Sequence, residues 1–327
     1  MKICVYSLRS DEVNCLERLV GQLGIEVVKT QEEPTVDNQH LVQGCQGVCV
    51  LGQTQIGQEL LDCWSKLGVK YLSTRTIGFN HIDVAYANSL GIRVCNAAYA
   101  PNGVADFTVM LMLMCLRKSK SALMRQQVQD YSLVGLQGRE MHNLTVGVMG
   151  TGRIGQAVMQ NLTGFGCKIL AYDVFENDWT KEHAQYVSLD ELLAQSDIIT
   201  MHMPLLPSTQ HMICEESIAK MKDGVILINA ARGELADVDA LIQGLESGKI
   251  GALGLDTVEG ESGIIHLDHR NDILPNQKIA YLRQFPNVVM TQHMAFYTEE
   301  AVYSMVRCGL EGIVDMDANQ KGATELV

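Results

Sequence analysis

LTVGVMGTGRIGQAVMQNLTGFGCKILAYD, residues 144–173, is the stretch that decides the fold. An apolar run ends at Met149, the glycine pattern GTGRIG follows, and a helical pattern leads to a second apolar run that ends on Asp173. Strand, glycine loop, helix, strand and acid in this order are typical of a dinucleotide-binding unit. A helix that begins in such a loop offers free N–H groups and its positive dipole end to phosphates.

Each glycine of this loop has its own predicted role. Gly150 permits the tight turn, Gly152 lets the backbone approach a pyrophosphate, and Gly155 lets the helix pack closely on the strand. Asp173 lies about twenty residues past the loop, where an acid accepts hydrogen bonds from a ribose 2′-hydroxyl. Because Asp173 would repel a 2′-phosphate and no arginine follows closely, we predict NAD and not NADP as the cofactor.

Composition restricts the class of protein. At 327 residues the chain is long for one core and comfortable for two domains. The net charge of −13 argues against a nucleic-acid partner, because such a partner requires a basic face. The most apolar run, Val109 to Leu116, is far too short to cross a bilayer, so we expect a buried helix there and no membrane partner. Ten cysteines without a CxxC pair indicate free thiols in a reducing cytoplasm.

Short β-type runs alternate with helical patterns along the chain, which predicts an α/β fold of parallel sheets covered on both faces. Predicted strands span 2–8, 25–29, 47–51, 69–74 and 92–95, then 144–149, 168–172, 197–203, 225–230, 251–256 and 288–292. Predicted helices span 11–22, 57–67, 83–90, 104–118 and 298–316. Ser188 and Asp237 are predicted helix caps.

Three polar residues follow strands of the second block and together suit redox chemistry on a 2-oxo acid. Such chemistry needs a cation for the carboxylate and carbonyl, a proton donor, and a carboxylate that keeps the donor protonated. Arg232 offers a permanently charged fork, His293 can be the acid, and Glu261 can favour its imidazolium form. Taken singly, each is more often a solvated charge, a surface residue or a structural histidine. Their shared position at strand ends beside a nucleotide loop supports the set.

Five segments resemble the signature segments of the D-2-hydroxyacid dehydrogenases. They are STRTIGFNHID (73–83), NAAYAPN (96–102), NAARG (229–233), DTVEGE (256–261) and TQHMAFYT (291–298). The most similar branch is the lactate type, with D-lactate, D-2-hydroxyisocaproate and vancomycin-resistance D-lactate dehydrogenases. The resemblance spans nearly the whole chain. It implies reversible, NADH-dependent reduction of a 2-oxo acid to the D-2-hydroxy acid by a homodimer.

The resemblance also implies roles for individual residues. Arg232 would bind the substrate carboxylate and carbonyl, His293 would be the acid/base, and Glu261 would pair with His293. Ile77 and Gly78 would offer backbone N–H groups to the carboxylate, and the other substrate contacts would be Leu51, Phe79, Tyr99 and Phe296. Cofactor contacts would come from Gly150, Gly152, Arg153, Ile154, Gly155, Asp173, Met203, Pro204, Thr209, Ala230, Ala231, Arg232 and Asp256.

The implied architecture is a Rossmann NAD-binding domain, residues 100–298, inserted into a flavodoxin-like substrate domain made of 1–99 and 299–327. Two residues depart from the family pattern. Gln292 replaces the usual proline before the catalytic histidine, which removes a restriction on φ and could loosen the loop. Leu51 stands where D-lactate enzymes tend to carry tyrosine and the hydroxyisocaproate enzyme carries leucine, so we expect a larger side-chain pocket.

Several alternatives stay open at this point. The enzyme could be a strict D-lactate dehydrogenase if Phe79 refills the space beside Leu51. A family member for phosphorylated or dicarboxylic substrates would need extra cations, and the first-block motifs supply only Arg75. A non-catalytic NAD-sensing protein, similar to the C-terminal-binding corepressors, would share the fold. His266 and His269 have a ligand-like spacing but no third partner of obvious register, so we expect no metal.

Overall fold

The computed structural model describes residues 1–52, 54–322 and 324–326 and divides into two compact units. Unit 1 comprises Met1–Ala100 and Tyr297–Val327, and unit 2 comprises Pro101–Phe296. These limits lie within two residues of the predicted domain limits. The assignment of substrate to one unit and cofactor to the other stays a prediction.

Strands and helices alternate through the described residues. The strands are β1 (Lys2–Val5), β2 (Glu26–Lys29), β3 (Gly47–Val50), β4 (Tyr71–Thr74), β5 (Arg93–Cys95), β6 (Thr145–Met149), β7 (Lys168–Tyr172), β8 (Gln185–Tyr186), β9 (Ile198–Met201), β10 (Val225–Asn229), β11 (Ile250–Leu255), β12 (Val288–Met290) and β13 (Glu325–Leu326). The α-helices are α1 (Val13–Leu23), α2 (Gln58–Lys66), α3 (Val84–Ser89), α4 (Asn102–Leu116), α5 (Ser119–Gln127), α6 (Arg153–Thr163), α7 (Asp178–His183), α8 (Leu189–Gln195), α9 (Glu215–Lys220), α10 (Val238–Glu246), α11 (Gln277–Leu282) and α12 (Glu299–Asp317).

Unit 1 is built on a six-stranded sheet in the order β13-β5-β4-β3-β1-β2. Strands β1 to β5 pair in parallel, and the short β13 joins the edge antiparallel to β5. One face is covered by α2 and α3, and the fully buried Trp64 of α2 lies in the core beneath them. The other face is covered by α1 and α12, with Leu16, Leu310 and Ile313 in the core. The predicted layering of helices on both faces is confirmed here.

Unit 2 is built on a seven-stranded, fully parallel sheet in the order β12-β11-β10-β9-β6-β7-β8. Helices α4 and α6 cover one face, and α8, α9 and α10 cover the other. The strand order reverses between β6 and β9. Ligands of open parallel sheets bind outside the carboxyl ends of the strands at such a reversal. The glycine loop follows β6 at this position.

Most predicted elements are present, though the strands are shorter than expected. Ser188 forms the predicted capping box with Glu191, and Asp237 accepts hydrogen bonds from the first N–H groups of α10. Helix α5 has no counterpart among the predicted helices because none of its residues is buried, so it carries no apolar stripe. It is tied down through Lys120, whose Nζ donates to three backbone carbonyls of residues 283–288.

The ten cysteines are free, and burial makes several of them unreactive. Loss of hydration raises the pKa of the Cys4, Cys95 and Cys115 thiols to about 12, so they stay protonated at neutral pH. These thiols behave as small hydrophobic side chains, as expected. Among the described helices, none is both long and apolar enough to cross a membrane.

Candidate active site

The three glycines of the loop between β6 and α6 have different surroundings. Gly150 has φ +93°, and a Cβ on it would lie 2.7 Å from the carbonyl carbon of His202. A Cβ on Gly155 would overlap the carbonyl oxygen of Gly150. Around Gly152, in contrast, a Cβ would meet no atom within 4 Å. The outer glycines therefore serve the turn and the packing, and the middle one leaves space beside the N-terminus of α6. Arg153 and Ile154 open this helix, and the free space suits a pyrophosphate.

Asp173, directly after β7, holds the glycine loop. Its Oδ2 accepts hydrogen bonds from the Thr151 N–H at 2.6 Å and from the Thr151 hydroxyl at 3.1 Å. Its Oδ1 accepts from the Phe175 N–H at 3.1 Å. The carboxylate is thus oriented by the loop it is expected to serve, an arrangement that fits a dinucleotide.

The loop after β9 carries Met203, Pro204 and Thr209. Met203 is buried, and the Thr209 hydroxyl donates to the Pro204 carbonyl at 2.7 Å. The same oxygen accepts from the Leu206 N–H at 2.8 Å. In this structure Thr209 therefore shapes its own loop, and the loop borders the glycine turn through the close approach of Gly150 to His202.

The loop after β10, which carries Ala230, Ala231 and Arg232, is shaped by a residue absent from the predicted site. The buried Asn229 donates from Nδ2 to the Arg232 carbonyl at 2.8 Å and accepts from the Ala231 N–H at 3.1 Å. Arg232 itself donates from Nη1 to the Ala231 carbonyl at 2.7 Å. A Cβ on the following Gly233 would overlap the backbone of residues 258–259, so the loops after β10 and β11 are in contact. In the motif NAARG, the first residue, Asn229, shapes the loop, and the last, Gly233, allows its contact with the neighbouring loop.

Asp256, at the end of β11, clamps the loop that follows β12. Its carboxylate is 2% exposed and accepts from the Met294 N–H at 2.9 Å and the Ala295 N–H at 2.8 Å. The Thr291 hydroxyl also donates to it. These bonds enclose His293. Both carboxylate oxygens are thereby engaged in positioning the loop.

The structure brings Glu261 and His293 into direct contact. Their Oε1 and Nδ1 atoms lie 2.6 Å apart, and the other carboxylate oxygen accepts from the Val258 N–H at 2.9 Å. Because Nδ1–H donates to the carboxylate, Nε2 is the nitrogen that can exchange a proton with a ligand. About a third of the histidine side chain is exposed, 32%. His293 has φ +52°, a left-handed conformation that non-glycine residues rarely adopt.

His266 lies beside this pair and does not form a metal site. Its Nε2–H donates to the His293 carbonyl at 3.2 Å, and its ring meets the Phe296 ring edge-on with centroids 6.3 Å apart. Within the described part of the chain, no group of three His, Cys, Asp or Glu side chains could hold a metal. Sequence reasoning missed this contact because residues 266 and 293 are joined only by the tertiary fold.

The candidate substrate residues of unit 1 follow the carboxyl ends of its strands. Leu51 follows β3 and is buried, whereas Ile77 and Phe79 are 38% and 40% exposed after β4. Gly78 lies between them, and Tyr99 follows β5, half-buried. These positions share one edge of a parallel sheet, the edge at which open sheets of this kind bind ligands.

Arg75 is a structural residue. Its side chain is 1% exposed, and Nε donates to Glu12 Oε1 at 3.0 Å. Nη2 donates to the carbonyls of Tyr6 and Ser7, both at 3.0 Å. Since its donors are occupied inside unit 1, Arg75 does not supply the cation that a phosphorylated or dicarboxylic substrate would need.

Comparison with known proteins agrees with this geometry. The sequence model described as "D-isomer specific 2-hydroxyacid dehydrogenase, NAD binding domain" matches residues 109–295. An aromatic 2-oxoacid reductase of Clostridium sporogenes is 45% identical over 97% of this chain and 96% of its own length. The chain belongs to the D-isomer specific 2-hydroxyacid dehydrogenase family.

Two further relatives place the chain within the family. A D-lactate dehydrogenase of Lactobacillus delbrueckii is 39% identical over 93% of this chain and 92% of its own. The solved structure of a D-2-hydroxyisocaproate dehydrogenase superposes with a TM-score of 0.92 at 33% identity, covering 100% of this chain and 99% of that one. The protein is an NAD-dependent oxidoreductase that interconverts a 2-oxo acid and its D-2-hydroxy acid. The predicted fold class, enzyme class and cofactor are confirmed.

Proposed function

We propose that this dehydrogenase reduces 2-oxo acids with bulky apolar side chains, aromatic ones included, at least as well as pyruvate. The observation that carries this proposal is the apolar Leu51 at the end of β3, a side chain shorter than a tyrosine. The likeness to an aromatic 2-oxoacid reductase and to a hydroxyisocaproate dehydrogenase supports it. Each methylene buried in an apolar pocket contributes about 0.8 kcal/mol to binding.

The proposed proton donor is His293, with Glu261 as its partner. Donation from Nδ1–H to the carboxylate fixes the ring orientation and leaves Nε2 available to the substrate. Nε2–H then transfers its proton to the carbonyl oxygen of the 2-oxo acid, and Nε2 takes it back from the hydroxyl in the reverse reaction. Arg232 is proposed to bind the carboxylate and polarise the carbonyl through its planar fork.

NAD is proposed to lie along the carboxyl ends of the unit 2 strands. When bound as NADH, it supplies the hydride that reduces the substrate carbon. The N–H groups of Arg153 and Ile154, beside the open space at Gly152, are proposed to hold the pyrophosphate. Asp173 is proposed to bind the ribose, and the loops with Met203–Thr209 and Ala230–Arg232 would line the remainder of the cofactor, with Asp256 supporting the nicotinamide end.

In unit 1, the backbone N–H groups of Ile77 and Gly78 are proposed to bind the substrate carboxylate. Leu51, Phe79 and Tyr99 are proposed to contact the substrate as well, together with Phe296 of unit 2. Phe79 is the residue on which chain-length preference depends most. Phe79 is 40% exposed, and the position of its ring is proposed to decide how much of the space beside Leu51 stays open.

Steady-state rates of NADH oxidation with phenylpyruvate, 2-oxoisocaproate and pyruvate test the substrate proposal. We expect kcat/KM for the two larger acids to equal or exceed that for pyruvate. Leu51→Tyr should shift preference back toward pyruvate, because the larger ring occupies the space that the longer tail needs. Leu51→Met, which keeps an apolar side chain of similar volume, is the matched control and should preserve the ranking.

A strong preference for pyruvate in the unmodified enzyme would contradict the proposal and favour the second candidate, a strict D-lactate dehydrogenase. The exposed Phe79 ring is the observation that keeps this candidate open. The NAD-sensing alternative receives less support, because the bonded Glu261–His293 pair is what catalysis requires and cofactor sensing alone does not.

We also propose that the protein is a homodimer located in a reducing cytoplasm. Helix α4 leaves Met110 38% exposed, and a surface cavity beside it is lined by apolar residues of this helix together with the charged Asp106 and Arg117. An exposed apolar patch with a polar rim is consistent with a subunit contact. Sedimentation velocity of the purified chain measures the oligomeric state. The free cysteines are consistent with a reducing compartment.

A further inference from the structure

The segment Thr76–Phe79 presents a row of free backbone N–H groups. Among the described residues, none accepts a hydrogen bond from the N–H of Ile77, Gly78 or Phe79. All three follow β4 at the carboxyl edge of the unit 1 sheet. Successive free N–H groups of this kind form a concavity suited to an anion.

The carbonyls of the same peptide groups are all engaged. The Thr76 carbonyl accepts from the Ala97 N–H at 2.9 Å, and the Ile77 carbonyl accepts from Asn96 Nδ2 at 2.6 Å. The Gly78 carbonyl accepts from the Thr76 hydroxyl at 2.6 Å. In a trans peptide the C=O and the next N–H point in opposite directions. The N–H groups of Ile77, Gly78 and Phe79 therefore point away from the donors that hold the three carbonyls.

The Thr76 hydroxyl is the last member of a hydrogen-bonded chain that begins at the buried His81. Thr74 Oγ1 lies 2.7 Å from Thr76 Oγ1 and 3.1 Å from His81 Nε2. A hydroxyl has one proton, and that of Thr76 is donated to the Gly78 carbonyl, so Thr74 must donate to Thr76. His81 must then donate to Thr74 from Nε2. Burial lowers the pKa of His81 to about 4, so the ring is neutral with its proton on Nε2.

Asn96 is itself held from the far end of the chain. Its N–H donates to the Thr324 carbonyl at 3.1 Å, and its carbonyl accepts from the Thr324 hydroxyl. Thr324 directly precedes β13, which pairs with β5. The C-terminal segment thus orients Asn96, and Asn96 orients the Ile77 peptide group.

We propose that Asn96 and the chain His81–Thr74–Thr76 are positioning residues that aim the N–H groups of Ile77, Gly78 and Phe79 at the substrate carboxylate. This inference rests on the proposed function, in which Ile77 and Gly78 bind that carboxylate. The carboxylate is present in both the substrate and the transition state. Interactions that bind both equally change KM and leave kcat unchanged.

Thr76→Val and Thr76→Ser form the central pair of variants. Valine has the shape of threonine without the hydroxyl, whereas serine keeps the donor. We expect Thr76→Val to raise the KM for the 2-oxo acid about three- to tenfold, the loss of one hydrogen bond, with kcat and the KM for NADH within about twofold. Thr76→Ser should return the KM for the 2-oxo acid to near its original value.

Asn96→Ala and Asn96→Asp extend the test. Alanine releases the Ile77 carbonyl, and we expect a rise in KM similar to that of Thr76→Val. Aspartate places a negative charge against that carbonyl, so its effect should be larger. Asn88→Ala, which changes an exposed asparagine on α3 of the same unit, is the control and should leave KM unchanged.

Nitrogen-15 NMR of the unmodified protein tests the chain without any assay of activity. We expect the His81 ring to remain neutral with the proton on Nε2 between pH 8 and about pH 5, because its pKa is about 4. A proton on Nδ1 would overturn the proposed direction of the chain. Unchanged KM values in Thr76→Val and Asn96→Ala, or losses in kcat that serine does not rescue, would overturn the positioning role. An unmodified enzyme that reduces no 2-oxo acid would instead refute the proposed function.

Discussion

His293 combines a left-handed backbone with a side chain held through one ring nitrogen. A non-glycine residue in this region costs on the order of 1–3 kcal/mol, which its surroundings must offset. The Asp256 carboxylate does so by accepting hydrogen bonds from the N–H groups of the two residues that follow His293. His266 donates a hydrogen bond to the His293 carbonyl. These contacts restrain the loop although Gln292 replaces the usual proline. The loosening expected from that replacement is therefore countered by bonds from other loops.

Separate replacements of His293 and Glu261 distinguish the loss of the proton donor from the loss of the residue that holds it. His293→Ala should lower kcat by roughly two to four orders of magnitude and leave NADH binding nearly unchanged, because only the acid is lost. Glu261→Gln should lower kcat by a smaller factor, because the ring loses the carboxylate that fixes its orientation. Rates of NADH oxidation at a saturating concentration of 2-oxo acid reveal both effects.

The neighbouring Glu259 provides the matched control for this experiment. Its carboxylate lies 2.8 Å from His211 Nε2 and makes no bond to His293, so Glu259→Gln should leave kcat unchanged. An unchanged kcat in Glu261→Gln would remove Glu261 from the mechanism. A similar fall in kcat in both variants would indicate a general effect of charge.

At the scale of elements, the glycine loop, α6 and the end of β7 form one hydrogen-bonded motif. Asp173 joins the second strand to Thr151 of the loop, and Asn177 donates to the Thr151 carbonyl at 3.1 Å. The loop conformation therefore depends on the acid that is proposed to select the cofactor. This coupling follows from the parallel pairing of β6 with β7, which brings the two strand ends together.

Asp173→Ala should weaken the binding of NADH more than it improves the binding of NADPH. The variant loses the proposed ribose contact and also the restraint on Thr151, so we expect the KM for NADH to rise about tenfold and the preference for NADH over NADPH to narrow. Asp178→Ala, at an exposed acid five residues on, should change neither value. Comparable kcat/KM with NADH and NADPH in the unmodified enzyme would show that Asp173 does not select the cofactor.

Most of the elements that sequence reasoning missed are short. Helices α7 and α11 have six residues each, and β8 and β13 have two. Segments this short carry too few apolar positions to show a period. Their stability comes from contacts with other parts of their own unit, as the pairing of β13 with β5 shows.

At the scale of the whole molecule, each unit has its own core and its own buried polar groups. Unit 1 encloses the Arg75–Glu12 ion pair and the neutral His81 beneath the carboxyl edge of its sheet. Trp64 is buried in this unit, whereas the second tryptophan, Trp179, belongs to unit 2. In a Trp179→Phe background, fluorescence therefore reports the unfolding of unit 1.

The buried His81 should make unit 1 sensitive to acid. Its pKa is about 4 in the folded state and 6.5 when unfolded, so the unfolded state binds more protons between these values. The free energy of unfolding should therefore fall as the pH drops from about 6.5 to about 4, by roughly 3 kcal/mol from this group. Urea unfolding followed by Trp64 fluorescence measures it.

His81→Gln removes the titrating group and keeps a hydrogen-bond donor for Thr74. Its unfolding free energy should fall less steeply over the same pH range, and the difference in slope isolates His81. Equal slopes in the two proteins would mean that His81 is not buried in its neutral form.

The amino-acid sequence by itself determined the alternation of strands and helices, the glycine loop with Asp173, and the positions of Arg232, Glu261 and His293 at strand ends. These follow from patterns within a few residues, since local spacing restricts backbone angles and burial, and the carboxyl ends of parallel strands share one edge. Only the tertiary structure decided which side chains meet across long separations. It brought the Asp256 carboxylate into hydrogen bonds with residues 291–295 and the His266 ring into a hydrogen bond with the His293 carbonyl. It also paired Arg75 with Glu12 inside the core. No local pattern encodes such contacts, because they arise when separate strand ends and loops are packed against one another.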